Sequence, residues 1–173
     1  MQVNTVTQGN KNNNLNFGIK ISGKISSEIC KEIYDQKLNK YMPSYVQQYE
    51  KLSKSGLETS ELYLAKGKDV DTFMLKNPSI TTAYEKPLMQ AQKGNLLEAW
   101  FNIKPEDIQN AEKMLKEAIT EKRQGLVSMA DNVVVRALLY GKNNEKEVSK
   151  AVEKLDDNTV IDLFYQAKNI VKS

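Results

Sequence analysis

Histidine is absent from this 173-residue chain, and its absence removes more chemistry than any residue present adds. Without it there is no Ser–His or Cys–His nucleophile pair, no imidazole general base, and no histidine-bearing zinc, haem or non-haem iron site. Cysteine occurs once, as Cys30, which excludes an intramolecular disulfide and a clustered-thiolate metal centre. Set beside Ile29 and Ile33 in a helical pattern, Cys30 reads as a buried, inert thiol, and a lone thiol fits a reducing compartment.

Arginine is nearly missing. Arg123 and Arg136 are the two arginines among 25 basic residues. Lysine offers a point charge, whereas bidentate reading of phosphates, carboxylates or guanine edges favours the guanidinium fork. The excess of positive charge is only three, with 22 acidic residues interspersed. Nucleic acid is therefore disfavoured as a partner, and the lysines read as a solvated surface. Phosphate-binding loops are absent as well: eight glycines are thinly spread, and neither G-x-x-x-x-G-K-[ST] nor G-x-G-x-x-G occurs. Lys66-Gly67-Lys68 falls in a hairpin turn, not between a strand and a helix. No apolar run approaches the roughly 20 residues that span a bilayer, and no charged-then-apolar leader pattern opens the chain. No cofactor and no metal are expected.

What remains is patterned. Residues 1–14 are rich in Asn, Gln and Thr with little to bury, so a flexible polar tail is expected, and 15–173 is expected to form one α+β domain. Within it, 15–103 reads as the sheet-rich part and 104–173 as the helical part. Leu15, Phe17, Ile19 and Ile21 alternate with polar or small residues, which predicts a strand ending at Gly23. A helix capped by Ser26 or Ser27 follows, kinked by Pro43 near Tyr41 and Met42. Tyr41, Tyr45 and Tyr49 fall at i, i+4, i+8, which is a packing seam more readily than a stacking platform for a base.

From Glu58 the period changes to two. Leu62 and Leu64 alternate, residues 66–69 turn, and Val70–Leu75 completes a hairpin. Ile80–Glu85 reads as a further strand, with Pro87 demoting it or marking an edge. Leu88–Gln92 is ambiguous, because Met, Gln and Ala prefer helices. Hairpin-sized connections favour antiparallel pairing, so the expected sheet is an antiparallel meander of three to five strands.

After Pro105 the pattern is helical. Pro105 suits a first helical position, and Glu106 and Asp107 complement the helix dipole. Ile108, Ala111, Leu115 and Ile119 form one stripe, and Gln124-Gly125 reads as a break. An apolar central helix is expected over 126–140. A third helix is expected after Asn144, and a fourth capped by Asp156 or Asp157. The fold expected is thus α+β: an N-terminal strand, a kinked helix, the meander, and four short helices covering one sheet face.

Residues 96–103 hold the only tryptophan. As a strand they would turn Leu97, Ala99, Phe101 and Ile103 inward and project Trp100 outward, where Tyr63 shares the exposure. As a helix they would place Leu96, Leu97, Trp100 and Ile103 on one buried stripe. Trp, Phe and Ile favour the strand, which is the expectation here, and it makes Trp100 and Tyr63 the candidate partner-binding residues.

No motif specifies a reaction. The function expected is a non-catalytic protein–protein interaction or structural module, self-associating in one form. The alternative is a carboxylate-dependent, metal-assisted hydrolase using Asp69 and Asp71, which a strand would aim to one side. A further alternative is an exported effector or virion component carrying the uncleaved tail. The expected location is cytoplasmic, with non-classical export tied to that tail.

Overall fold

The computed structural model describes residues 18–57, 59–78, 85–139 and 145–172, so the polar segment 1–14 lies outside the described residues. The chain runs β1 (Lys20–Ile21), α1 (Gly23–Asp35), a 3-10 turn (Asn39–Tyr41), α2 (Met42–Ser53), β2 (Glu61–Ala65), β3 (Val70–Lys76) and β4 (Lys86–Gln92). It continues through α3 (Leu96–Asn102), α4 (Pro105–Met129), α5 (Val133–Leu138), α6 (Glu145–Glu153) and α7 (Asp157–Lys172). The α+β class and the helical C-terminal region agree with the sequence patterns.

The strand order is β1-β2-β3-β4. β2, β3 and β4 pair antiparallel in succession, as the hairpin signals require. β1 instead pairs parallel to β2, with Lys20 opposite Glu61 and Ile21 opposite Leu62, which corrects the expectation of a purely antiparallel meander. The reason is the connection: α1 and α2 lie between these strands, and a crossover of that length permits a parallel neighbour where a hairpin cannot. Of the strand expected over 15–22, residues 18–22 are described, and Lys20–Ile21 of them form strand.

Period-two burial is strict in the central hairpin. Leu62, Leu64, Asp71, Phe73 and Leu75 are buried on one face, while Tyr63, Thr72 and Met74 on the other are half-buried. The strand expected at Ile80–Glu85 falls almost wholly outside the described residues. Lys86–Gln92, whose composition leans to helix, is the outer strand, because pairing with β3 outweighs local propensity there. Pro87 does mark an edge. It sits opposite Met74, and Met89 sits opposite Phe73, so Leu88 is an extra residue in β4 at that point.

α1 begins at Gly23, earlier than a Ser26 or Ser27 cap would allow, and buries Ile25, Ile29 and Ile33 completely. The break before α2 separates two helices: Lys37 takes a left-handed φ of 56°, and Pro43 lies in the first turn of the new helix. α4 starts as expected at Pro105, with the Asp107 carboxylate accepting from the Lys104 N–H at 2.8 Å.

The expected break at Gln124-Gly125 is overturned. α4 continues through both residues to Met129, and α5 is only six residues long, with Val133 and Val134 exposed. Gly125 is there for packing: a β-carbon on it would lie 2.6 Å from Cε2 of Phe164 on α7. At the far end of the bundle Arg123 donates to the carbonyls of Val152 and Leu155 and to the Asp157 carboxylate, closing the α6–α7 corner. One planar guanidinium serves three acceptors, a task for which lysine lacks the geometry. Asp156 caps α7 by accepting from the Thr159 N–H at 3.0 Å, as its position implied.

Two buried clusters result. The larger joins the inner sheet face to α1, α3 and the first part of α4; the smaller joins the end of α4 to α5, α6 and α7. Ile161 of α7 belongs to the larger cluster, whereas Val160 and Ala167 belong to the smaller, so α7 ties them together. Among the described residues no helix is long and apolar enough to cross a membrane.

Candidate functional site

Residues 96–102 form a helix, and this corrects the strand expectation at the point where it mattered most. Trp100 is 0% exposed and its ring packs against Tyr45, Phe73 and Tyr49 with centroids 5.8, 5.9 and 6.5 Å away. It is core and offers no surface to a partner. Its indole Nε1 is buried without a hydrogen-bond partner, so its ring is held by packing.

Such a short helix has little stability of its own. Side chains distant in sequence hold both its ends. From α1, Glu32 accepts hydrogen bonds from the N–H groups of Leu96 and Leu97, each at 3.0 Å. From α2, Gln48 donates to the carbonyls of Trp100 and Ile103 at 3.2 and 2.8 Å. These four bonds satisfy groups that a helix leaves orphaned at its termini, and the carboxylate also faces the positive end of the dipole.

Tyr63 lies on the opposite sheet face from the core that holds Trp100, so the two candidate residues do not meet. The Tyr63 ring is half-buried under the Lys76 ammonium, 4.6 Å from its centroid, and its hydroxyl donates to Glu85. Burial, then the Glu85 carboxylate, raise the Tyr63 pKa far above the ordinary phenol value.

Asp69 and Asp71 are not brought together either. Asp69 is exposed in the turn, whereas the Asp71 side chain is almost wholly enclosed on the inner face. The Asp71 carboxylate accepts from Lys93 Nζ, from Lys66 Nζ at 3.2 Å and from the Gly67 N–H at 3.2 Å. Lys66 also pairs with Glu28 at 2.7 Å. Burial alone would push the Asp71 pKa up, but the two lysines and the Gly67 amide outweigh it and hold the carboxyl below its usual range. A cation approaching Asp71 would meet two ammonium groups. Among the described residues no three of Cys, Asp and Glu are grouped as metal ligands.

The tyrosine stripe divides as a packing seam should: Tyr45 is buried, Tyr49 half-buried against the core, and Tyr41 exposed at its rim.

Beside the Asp71 cluster lies a concavity with an apolar lining. The Glu32 bonds to the start of α3 and the Gln36 bond to Gly94 tie α1 to this end of α3, and a groove of about 360 Å³ lies between the C-terminal end of α1 and α3. Gln36 Nε2 donates to the Gly94 carbonyl at 2.7 Å, and Gly94 takes a φ of +83° that a β-carbon would strain. Leu38, Tyr41, Leu97 and Phe101 supply the apolar lining, and Glu98 stands exposed at the edge. The groove shares Glu32, Gln36 and Gly94 with a polar hollow of about 210 Å³ around Asp71, Glu28 and Asp35. Sequence reasoning missed it, since its walls come from segments more than fifty residues apart. Phe101 was seen as apolar, but nothing local said that it would keep part of its surface.

No protein-family model matches this chain, and neither a curated protein nor a solved structure matches it.

Proposed function

We propose that the protein is a non-catalytic binding module that seats a segment of a protein partner in the groove between α1 and α3. The observation that carries this reading is the combination of an apolar floor with an acidic edge. Leu38, Tyr41, Leu97 and Phe101 line the floor and Glu98 supplies the charge at its edge, while in the adjoining hollow Glu28 is already paired with Lys66. A segment presenting an aliphatic side chain next to a lysine or arginine complements both. The absence of histidine and of a phosphate-binding loop supports a binding role over a reaction, and the two lysines on Asp71 remove the support that Asp69 and Asp71 lent to metal-assisted hydrolysis. The effector or virion reading rests on residues 1–14, which lie outside the described residues.

The test is selection of a random peptide library on the full chain, followed by affinity measurement of the recovered sequences. Aliphatic–basic pairs should be enriched. Tyr41→Ala with Glu98→Lys, two exposed substitutions, should weaken the recovered peptides at least about tenfold with the melting temperature unchanged. Recovery of no common pattern, or affinity indifferent to both substitutions, refutes the groove. A dimer in sedimentation that Glu98→Lys abolishes would assign the groove to a second copy of the chain.

A further inference from the structure

Along α4 a further cavity of about 240 Å³ has a buried carboxylate in its wall. Glu112 is 7% exposed, and its Oε1 accepts from the Leu57 N–H at 2.7 Å. Among the described residues this is its only hydrogen bond, and it makes no ion pair. An ionised carboxylate has about four acceptor positions, and the described residues fill one of them, which leaves the others to an occupant of the cavity. The backbone is shaped around it: Gly56 takes a φ of +85°, and a β-carbon there would lie 2.6 Å from Glu112 Oε1.

The rest of the lining sorts by chemistry. Leu115 and Ile119 form an apolar wall along α4, Thr59 and Ser60 add hydroxyl groups, and Lys116 and Asp157 also border the space. Asp157 is already paired with Arg123 at 2.7 Å, which leaves Glu112 as the unneutralised charge deepest in the site. Lys116 is exposed, so its repulsion is screened by water and salt, whereas attraction to the enclosed Glu112 is screened far less.

We propose that this cavity is a binding site for a small aliphatic ammonium, free or at the end of a side chain. The ammonium donates to Glu112, and its carbon stem lies along Leu115 and Ile119. A primary ammonium brings three donors to a group short of them, and the cavity has room for a stem of a few carbons. This site is separate from the α1–α3 groove and does not depend on it.

The Leu57 amide, bonded to the same carboxylate, is the reporter. In the isotope-labelled full chain, n-butylammonium should shift the Leu57 amide resonance saturably, while n-butanol and potassium ion at equal concentration should not. Glu112→Gln keeps a carbonyl for the Leu57 N–H but replaces the second oxygen with a donor, and it should weaken binding at least about tenfold. Lys116→Gln should bind as tightly as the parent chain or more tightly. A shift equal with butanol, an unchanged affinity in Glu112→Gln, or potassium competing as well as the amine would overturn the proposal. So would binding seen only in Lys116→Gln, since that would mean the chain's own lysine fills the site.

Discussion

At the scale of single residues, Asp71 shows how burial changes the meaning of a side chain. In sequence it is one of two acids flanking a turn. In the fold it anchors Lys66, Lys93 and the Gly67 amide, and through Lys66 it reaches Glu28 on α1. Its pKa is lowered on folding, and so is that of Glu28, chiefly through the Lys66 hydrogen bond. The unfolded chain therefore binds more protons at acid pH than the native one. The stability these groups contribute is present above their unfolded values, near pH 4, and is lost as pH falls through the lower folded ones. Asp71→Asn is expected to cost about 2–4 kcal/mol near pH 7, because two ammonium groups are left facing a neutral amide. It should also flatten the acid limb of stability against pH below about pH 5. Denaturant melts of both chains between pH 2 and 7 check this, and parallel acid limbs would show that Asp71 is not the group responsible.

At the scale of elements, α3 and α4 mark where local signals succeed and where they fail. Pro105 and Asp107 start α4 by chemistry confined to four residues, so the start was legible. The continuation through Gly125 was not, because glycine's low helix propensity is local while its compensation, the Phe164 ring of α7, arrives from 39 positions further on. Gly125→Ala sets these effects against each other. Helix propensity alone would gain about 0.5–1 kcal/mol, but displacing the Phe164 ring costs about 1–3 kcal/mol. A net loss of about 1 kcal/mol is expected, read as a lower melting temperature. A stabilised variant would mean that the ring moves aside freely. α3 is the same lesson from the other direction: Leu, Glu and Ala against Trp, Phe and Ile leave helix and strand nearly balanced, and Glu32 and Gln48 decide it from outside.

At the scale of the whole molecule, Trp100 sits where α2, α3 and the inner sheet face converge. Its removal therefore tests the larger cluster and not a surface. Trp100→Ala is expected to destabilise the chain by about 3–5 kcal/mol. The parent's tryptophan emission should be blue-shifted and poorly quenched by iodide. A melt that barely moves, or a readily quenched indole, would return Trp100 to the surface.

The sequence by itself determined what is periodic or absent: the central hairpin, the stripes of α1 and α4, the caps at Pro105 and Asp156, and the exclusion of histidine chemistry. Each of these depends on residues within one or two turns of each other. Only the tertiary structure decided that β1 pairs parallel, that residues 96–102 are helix, that Asp71 is an anchor, that α4 runs through Gly125, and that a groove opens between the end of α1 and α3. Those outcomes depend on Glu32, Gln48, Lys93 and Phe164 meeting groups more than twenty residues away, and such meetings leave no mark in the local pattern of the chain.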